Sequence, residues 1–196
     1  MSLEDDRVRG LRAVAHPVRL QILSLLTGAE LSAAEIAREL GITQANASYH
    51  VRVLARAGEL VETGTERIRG GRAKKYRYVA PPHTEEGGDA PGARSGSAAS
   101  AGAMVLLVEA YATELRRRVR QRDTGAPSDF TDAELWLPPD VWAEVLELVR
   151  RASAAAHEGA LPPRTPGTVH TSFSSFLFQL SSERPGGTDP VEEGES

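Results

Sequence analysis

The spacing of hydrophobic residues between positions 32 and 57 predicts two short helices joined by a tight turn. Ser32 and Glu35 have the spacing of a capping box, which would begin the first helix. Gly41 suits the left-handed residue that ends such a helix, and Thr43 can cap the second helix, predicted from about residue 43 to residue 57. The residues that recur at helical spacing in the second helix, and that should face inward, are Ala47, Val51 and Leu54.

The opposite face of the second helix is small, polar and basic, with Tyr49 as its one large side chain. Such a face suits phosphates and the edges of bases, which is how a recognition helix contacts DNA. An ordinary helical hairpin with a solvated face would have a similar pattern, so this segment alone leaves both interpretations open. The outward positions are Gln44, Ala45, Asn46, Ser48, Tyr49, Arg52 and Arg56.

A basic hairpin is predicted directly after the second helix. Residues 59–63 and 73–79 have the character of strands, and Gly70-Gly71 lies between them as a turn. From residue 43 to residue 79 there are eight Lys or Arg against three Glu, whereas the whole chain carries a net charge of −4. This concentration of positive charge favours a DNA-contacting wing. Its candidate contacts are Arg67, Arg69, Arg72 and Lys74.

Residues 11–79 resemble the winged helix of the ArsR-type bacterial transcriptional regulators. The resemblance lies in AHPVRLQILSLL (15–26), AAEIARELGITQANASYHVRVLARAGELVE (33–62) and RGGRAKKYRYV (69–79). It implies a homodimer that binds an operator, with Gln44, Ala45, Ser48 and Tyr49 facing the DNA. The helical wheel adds Arg52 to this set. His50 is expected at the flank of the same helix, in contact with phosphate or with the wing.

Metal sensing, the best-known trait of that family, is not expected here. The chain has no Cys, so it has no thiolate ligand, and its five His residues are scattered without the spacing of ligands. No cofactor is expected either. An enzyme is disfavoured because the chain has no phosphate-binding glycine loop, nucleophile elbow or paired ligand motif.

Composition divides the chain into four parts. Residues 1–80 form the predicted winged helix-turn-helix domain, residues 81–103 a flexible linker rich in Pro, Gly, Ser and Ala, and residues 181–196 a disordered acidic tail. Residues 104–180 are left as a second folded unit. The expected class is therefore mainly α with a small β content (α+β): a winged helix-turn-helix plus a small C-terminal α/β domain for dimerisation or effector binding.

The second unit has three predicted parts. A long helix over residues 104–122 carries an apolar stripe, which is either a dimer seam or a surface packed within its own domain. Residues 131–137 and 168–180 are predicted strands, on either side of a helix from Pro139 to about His157. All the Phe and Trp residues lie between Phe130 and Phe178, as the core of a small domain or as the lining of a small-molecule effector pocket. The proposed dimer stripe is Val108, Tyr111, Leu115 and Val119.

The sequence therefore predicts a homodimeric DNA-binding transcriptional regulator that acts as a repressor on double-stranded DNA. No apolar run is long enough for a membrane span and the first residues are acidic and polar, so a cytoplasmic protein is expected. The alternative is a winged helix that binds another protein. That alternative would require large apolar residues on the outer face of the second helix.

Overall fold

The computed structural model describes residues 3–68, 71–78 and 98–180, and six helices and three strands lie within them. The predicted class, mainly helical with a small sheet and with a winged helix-turn-helix at its N-terminal end, is confirmed. The helices are α1 (Leu3–Val14), α2 (Pro17–Thr27), α3 (Ala33–Leu40), α4 (Gln44–Arg56), α5 (Ala98–Arg120) and α6 (Pro139–Glu158). The strands are β1 (Leu31–Ser32), β2 (Leu60–Ile68) and β3 (Gly71–Tyr78).

Side chains near the helix ends fix where α3 and α4 begin and end. Ser32 and Glu35 form the predicted capping box, in which each side chain bonds to the other residue's backbone N–H. Gly41 ends α3 with a φ of 66°, a conformation that costs glycine little. Thr43 accepts a hydrogen bond from the backbone N–H of Asn46 and so caps α4. The predicted helix-turn-helix is confirmed with these boundaries.

The sheet is antiparallel and has the order β1-β3-β2. The hairpin of β2 and β3 is the predicted wing, and it extends further than the sequence indicated. A register shift between Glu62 and Gly64 leaves one extra residue in β2, which is a β-bulge. The two-residue strand β1 pairs Leu31 with Tyr76 and was not predicted, because it is too short to show alternation.

One hydrophobic core joins α1 to α4, the sheet and α5. Fully buried Leu and Ile side chains fill its centre. At roughly 1.5–3 kcal/mol for each buried aliphatic side chain, this core is the main source of stability for the N-terminal region. Its buried members from α1 to β2 include Leu11, Leu20, Ile22, Leu26, Ile36, Val51, Leu54 and Leu60.

Helix α5 packs against α1 and α2, so it belongs to the same core as the helix-turn-helix. It begins at Ala98, which lies within the predicted linker, whereas residues 79–97 lie outside the described residues. Its inner face is made of small and medium side chains that let the helices approach closely. Three residues of the predicted stripe face outward: Val108 is 46% exposed, Leu115 42% and Val119 58%. The fourth, Tyr111, is half-buried against the core. The buried positions are Ala103, Leu107, Ala110 and Glu114.

The two strands predicted in the C-terminal region are wrong. Residues 131–137 and 168–180 are irregular, whereas the helix predicted between them is confirmed as α6. A strand needs a neighbour to satisfy its backbone N–H and C=O groups, and neither segment pairs with any described strand. The tail predicted over residues 181–196 lies outside the described residues.

Candidate DNA-binding interface

Helix α4 presents a buried inner face and an open polar outer face. Ala47 and Leu54 are 0% exposed, and Val51 is 1% exposed. This burial confirms that the three residues face inward, and it fixes the rotation of the helix about its axis. The outer face is therefore open to a ligand at its exposed positions, which are Gln44, Ala45, Asn46, Tyr49, Arg52 and Arg56.

The outer face can meet DNA with both neutral and charged groups. Gln44 lies at the first turn, where the partial positive charge of the helix N-terminus also favours a phosphate. Ser48 is half-buried, and its backbone carbonyl accepts a hydrogen bond from Nε of Arg52 at 3.1 Å. This bond holds the Arg52 side chain along the helix. Tyr49 is 56% exposed and is the one large side chain of the face.

The structure corrects the expectation for His50, which is buried at 5% exposure and does not reach a phosphate. Its ring lies 4.6 Å from the ring of His16 and 5.2 Å from that of Tyr49, measured between centroids. Burial lowers the pKa of His50, and the positive charges of His16 and Arg19 lower it further. Within the described residues, Nδ1 of His50 has no hydrogen-bond partner. His50 thus supports α4 from beneath.

His16 has a structural role of its own at the start of α2. It caps the helix, accepting a hydrogen bond at Nδ1 from the backbone N–H of Val18 at 3.2 Å, and Pro17 occupies the first helical turn as predicted. Burial and the charge of Arg19 lower the pKa of His16. The His16–His50 contact therefore joins the start of α2 to α4, and burial favours the neutral form of both rings.

The wing places like charges directly opposite each other. Arg67 on β2 pairs in register with Arg72 on β3, so both side chains lie on one face of the hairpin. Like charges in this position destabilise a hairpin unless an anion lies between or beside them. Two hydrogen bonds to Oγ1 of Thr65, at 3.2 and 2.6 Å, fix the Arg72 guanidinium. This arrangement suits a phosphate of a nucleic acid backbone.

Lys74 is partly engaged within the hairpin, because its Nζ lies 2.8 Å from a carboxylate oxygen of Glu62. Both side chains are largely exposed, so the pair contributes little to stability and can be exchanged for a phosphate contact. The remaining predicted wing residue, Arg69, lies outside the described residues.

Lys75, which the sequence reasoning missed, ties the wing to the helix-turn-helix. Its Nζ lies 2.7 Å from a carboxylate oxygen of Glu35 in α3 and 2.9 Å from one of Glu66 in β2. Burial alone would raise the pKa of Glu35, but hydrogen bonds from Lys75 and Ser32 outweigh it and lower the pKa to about 2. The signal in the sequence was strand alternation, which places Lys74 and Lys75 on opposite faces of β3.

The described residues contain no group of three or more His, Asp or Glu side chains that could hold a metal ion. Across the same ranges, no helix is both long and apolar enough to span a membrane. An open depression on α6 is lined by residues such as Leu148, Arg151 and Ala155, and none of the aromatic residues of the effector interpretation lines it. A small-molecule effector thus stays a prediction.

Comparison with known families agrees with this geometry. Residues 14–63 match the family model of a helix-turn-helix domain, a range that begins at the end of α1 and reaches into β2. No curated protein matches the chain. The matched range contains the capping box, the left-handed Gly41 and the whole of α4. The chain therefore carries a helix-turn-helix domain, which supports a DNA-binding regulator in general.

Proposed function

We propose that the chain is a transcriptional repressor of the ArsR type that binds a palindromic operator as a homodimer. The observation that carries the proposal is the orientation of α4 within the matched helix-turn-helix region: Ala47, Val51 and Leu54 are fully buried and the polar face is open. A protein-docking face would expose a cluster of large apolar residues, and on α4 only Tyr49 has that character. The outer face instead offers amide, hydroxyl and guanidinium groups.

Each part of the interface has a distinct task in this proposal. Gln44 and Ser48 hydrogen-bond to base edges in the major groove, and Ala45 lets the helix approach closely, next to a thymine methyl group. Tyr49 and Arg52 contact the flanking backbone, while His50 holds the helix in position. The wing contributes phosphate contacts that fix the register without reading sequence. Its contributing residues are Arg67, Arg69, Arg72 and Lys74.

Dimerisation places two recognition helices on one face of the DNA. The outward stripe of α5, with Val108, Tyr111, Leu115 and Val119, supplies the seam. Three of these side chains are at least 42% exposed in the single chain, so they are available to a second copy. Half-sites about 10 bp apart, or a multiple of that spacing, would follow from the twofold symmetry. Such a dimer represses by occupying a promoter.

The direct test is selection of genomic DNA fragments by the full chain, followed by titration of the enriched site with two variants. Gln44→Ala should weaken operator binding by about 1–3 kcal/mol and relax specificity at one position in each half-site. Arg72→Ala should weaken all sequences alike and reduce the slope of log affinity against log salt by about one.

Arg151→Ala is the matched control, because Arg151 is an exposed arginine on α6, away from the proposed interface. It should leave the operator affinity and the salt slope unchanged. Equal loss of operator and random DNA in Gln44→Ala would contradict base readout by α4. If no fragment is enriched and the chain binds no DNA, the protein-interaction alternative replaces the proposal.

A further inference from the structure

A long stretch after α5 is open to solvent. Every residue from 121 to 141 is exposed, including two aromatic residues: Phe130 is 90% exposed and Trp136 91%. Leu135, beside Trp136, is 66% exposed. Single exposed apolar side chains are ordinary, but three large ones that are at least 66% exposed within seven residues favour an interaction surface.

The same stretch is strongly acidic. Residues 123–147, called the acidic arm below, contain seven Asp or Glu and no Lys, Arg or His. Asp132 and Glu134 immediately precede the exposed Leu135 and Trp136, and all four side chains are open to solvent. The partner of the arm must therefore combine an apolar surface with positive charge, and DNA is excluded because its phosphates would repel the arm.

The chain itself carries a surface of that chemistry on the outer side of α5. Residues 116–122 contain five Arg and no acidic residue. Among them, Arg116 and Arg120 are exposed beside Leu115 and Val119, which are 42% and 58% exposed. These exposed residues of α5, together with Val108, are called the receiving face below.

The receiving face is extended by residues 169–180, which contact α5 through Phe176. The ring of Phe176 meets that of Tyr111 edge-on at a centroid distance of 5.1 Å. In the same segment, Val169 is 82% exposed and Phe178 is 69% exposed. Residues 169–180 contain no acidic side chain. The apolar surface available to the arm is therefore wider than α5 alone.

The exposed area is sufficient for a stable dimer. The five aromatic residues Phe130, Trp136, Phe173, Phe176 and Phe178 are between 47% and 91% exposed. At about 200 Å² for each aromatic side chain they expose on the order of 700 Å². A standard interface buries about 800 Å² on each partner, and the exposed aliphatic residues of α5 and the arm add to the aromatic area.

We propose that the acidic arm of one copy lies on the receiving face of a second copy, and that the exchange is reciprocal. The proposal deepens the homodimer of the proposed function and rests on it for the presence of a second copy. Within one chain the arm is exposed over residues 123–141 and only partly exposed beyond them, while the inner face of α5 packs on its own subunit. A twofold exchange covers the arm and the receiving face of both copies at once and leaves no open surface of either kind.

The experiment uses two charge-reversed versions of the full chain. The arm variant carries Asp132→Arg and Glu134→Arg, and the face variant carries Arg116→Glu and Arg120→Glu. Each should dimerise about tenfold or more weakly than the parent chain, since like charges would then face each other across the interface. The readout is the dimer dissociation constant from sedimentation with a fluorescently labelled chain.

Mixing the two variants separates exchange between chains from contact within a chain. In a mixed dimer, the reversed arm meets the reversed face and the normal arm meets the normal face, so mixing should restore the parent affinity. Glu30→Arg, an exposed reversal away from both surfaces, is the control and should dimerise like the parent. Variants that stay separate when mixed would overturn the proposal, because the weakened contact would then lie within one chain.

Two further results distinguish this inference from the proposed function. In the first, both charge variants dimerise like the parent, while the double variant Val108→Asp with Leu115→Asp dissociates the dimer. This result would support the α5 seam and contradict the exchange of the acidic arm. A parent chain that stays monomeric overturns both statements about the dimer. DNA binding by α4 is then judged separately, from the Gln44→Ala titration.

Discussion

Apolar side chains are buried in the winged helix-turn-helix region and exposed in the C-terminal region. Ile36 and Leu54 are 0% exposed, whereas Phe130 and Trp136 are about nine-tenths exposed. Both regions contain amphipathic helices, so helix formation does not explain the contrast. What differs is that α1–α4 and the sheet enclose one another, while α6 buries no residue fully. The first region therefore has a core of its own, whereas no residue from 121 to 180 is fully buried.

Helix α5 belongs to both regions at once. Its inner face contributes Ala103, Leu107 and Ala110 to the N-terminal core, and its outer face leaves Leu115 and Val119 open. Small residues on the inner face allow close packing against α1 and α2, whereas the larger residues face away.

Substituting one buried residue of the first region and one exposed residue of the second should give the greatest difference in the free energy of unfolding. Leu54→Ala should lower the free energy of unfolding by about 2–5 kcal/mol, because it leaves a cavity in a closed core. Trp136→Ala should change the unfolding of the dilute chain by no more than about 0.5 kcal/mol, because the side chain has no packing to lose there. Urea unfolding followed by circular dichroism measures both.

The two losses should depend differently on protein concentration. The Leu54→Ala loss should be present at every concentration, whereas a Trp136→Ala loss should appear only where the chain associates. If Trp136→Ala were as destabilising in dilute solution as Leu54→Ala, the C-terminal region would have a core of its own and the contrast between the two regions would be wrong.

The next effect concerns Glu114, which fastens α5 to α2. This carboxylate is 1% exposed and accepts hydrogen bonds from Gln21, Arg117 and Arg118. Glu114→Gln should lower stability by about 1–3 kcal/mol, since Gln21, Arg117 and Arg118 then lose a buried ionised acceptor. Amide hydrogen exchange should show faster opening of α5 in this variant.

Glu109→Gln is the control for Glu114→Gln, because Glu109 is an exposed carboxylate on the same helix. It should leave hydrogen exchange in α5 unchanged. Equal exchange rates in the two variants would mean that the inner apolar face alone holds α5 in place.

Much of the N-terminal fold could be predicted because its signals are local. The capping box of Ser32 and Glu35, the left-handed Gly41 and the spacing of Ala47, Val51 and Leu54 each act within a few residues. The C-terminal strands could not be predicted from such signals, since the β propensity of residues 168–180 needs a paired neighbour to take effect. The inner face of α5 was missed because alanines and a glutamate do not resemble an apolar stripe.

The candidate site was predictable in its outline and not in its supporting contacts. The helical wheel predicted Gln44, Tyr49 and Arg52 on the outer face of α4, and all three side chains are exposed in the structure. His50 is three residues after Ala47 and four before Leu54, so helical spacing did place it on the buried side; its polarity led to the wrong interpretation. The contact of Lys75 with Glu35 spans 40 residues, which no local pattern reveals.

A smaller effect should follow from Glu35→Gln, which weakens both the capping box and the ion pair with Lys75. We expect a loss of about 1–2 kcal/mol near neutral pH. The folded pKa of Glu35 is about 2, against an ordinary value of 4.5, so the wild-type advantage is complete above pH 4.5 and is lost as the pH falls towards 2. Urea unfolding of the wild type and of Glu35→Gln across this pH range measures how their free energies of unfolding converge.

Glu30→Gln, an exposed change in the loop before β1, is the control and should have the same stability as the wild type. A difference between Glu35→Gln and the wild type that persists unchanged at pH 2 would contradict the assigned pKa of Glu35.

The weakest effect should be a mild acid sensitivity of α4. The folded pKa of His50 is lowered by burial and by the charges of His16 and Arg19, while the unfolded chain titrates near 6.5. The unfolded state therefore binds more protons, and stability should fall as the pH decreases below about 6.5. Each unit of pKa difference contributes about 1.4 kcal/mol at most.

His50→Gln should reduce the loss of stability between pH 7.5 and pH 5.5, whereas His157→Gln on α6 should leave that loss unchanged. If His50→Gln lost as much stability as the wild type over that interval, His16 or groups outside this pair would control the acid sensitivity.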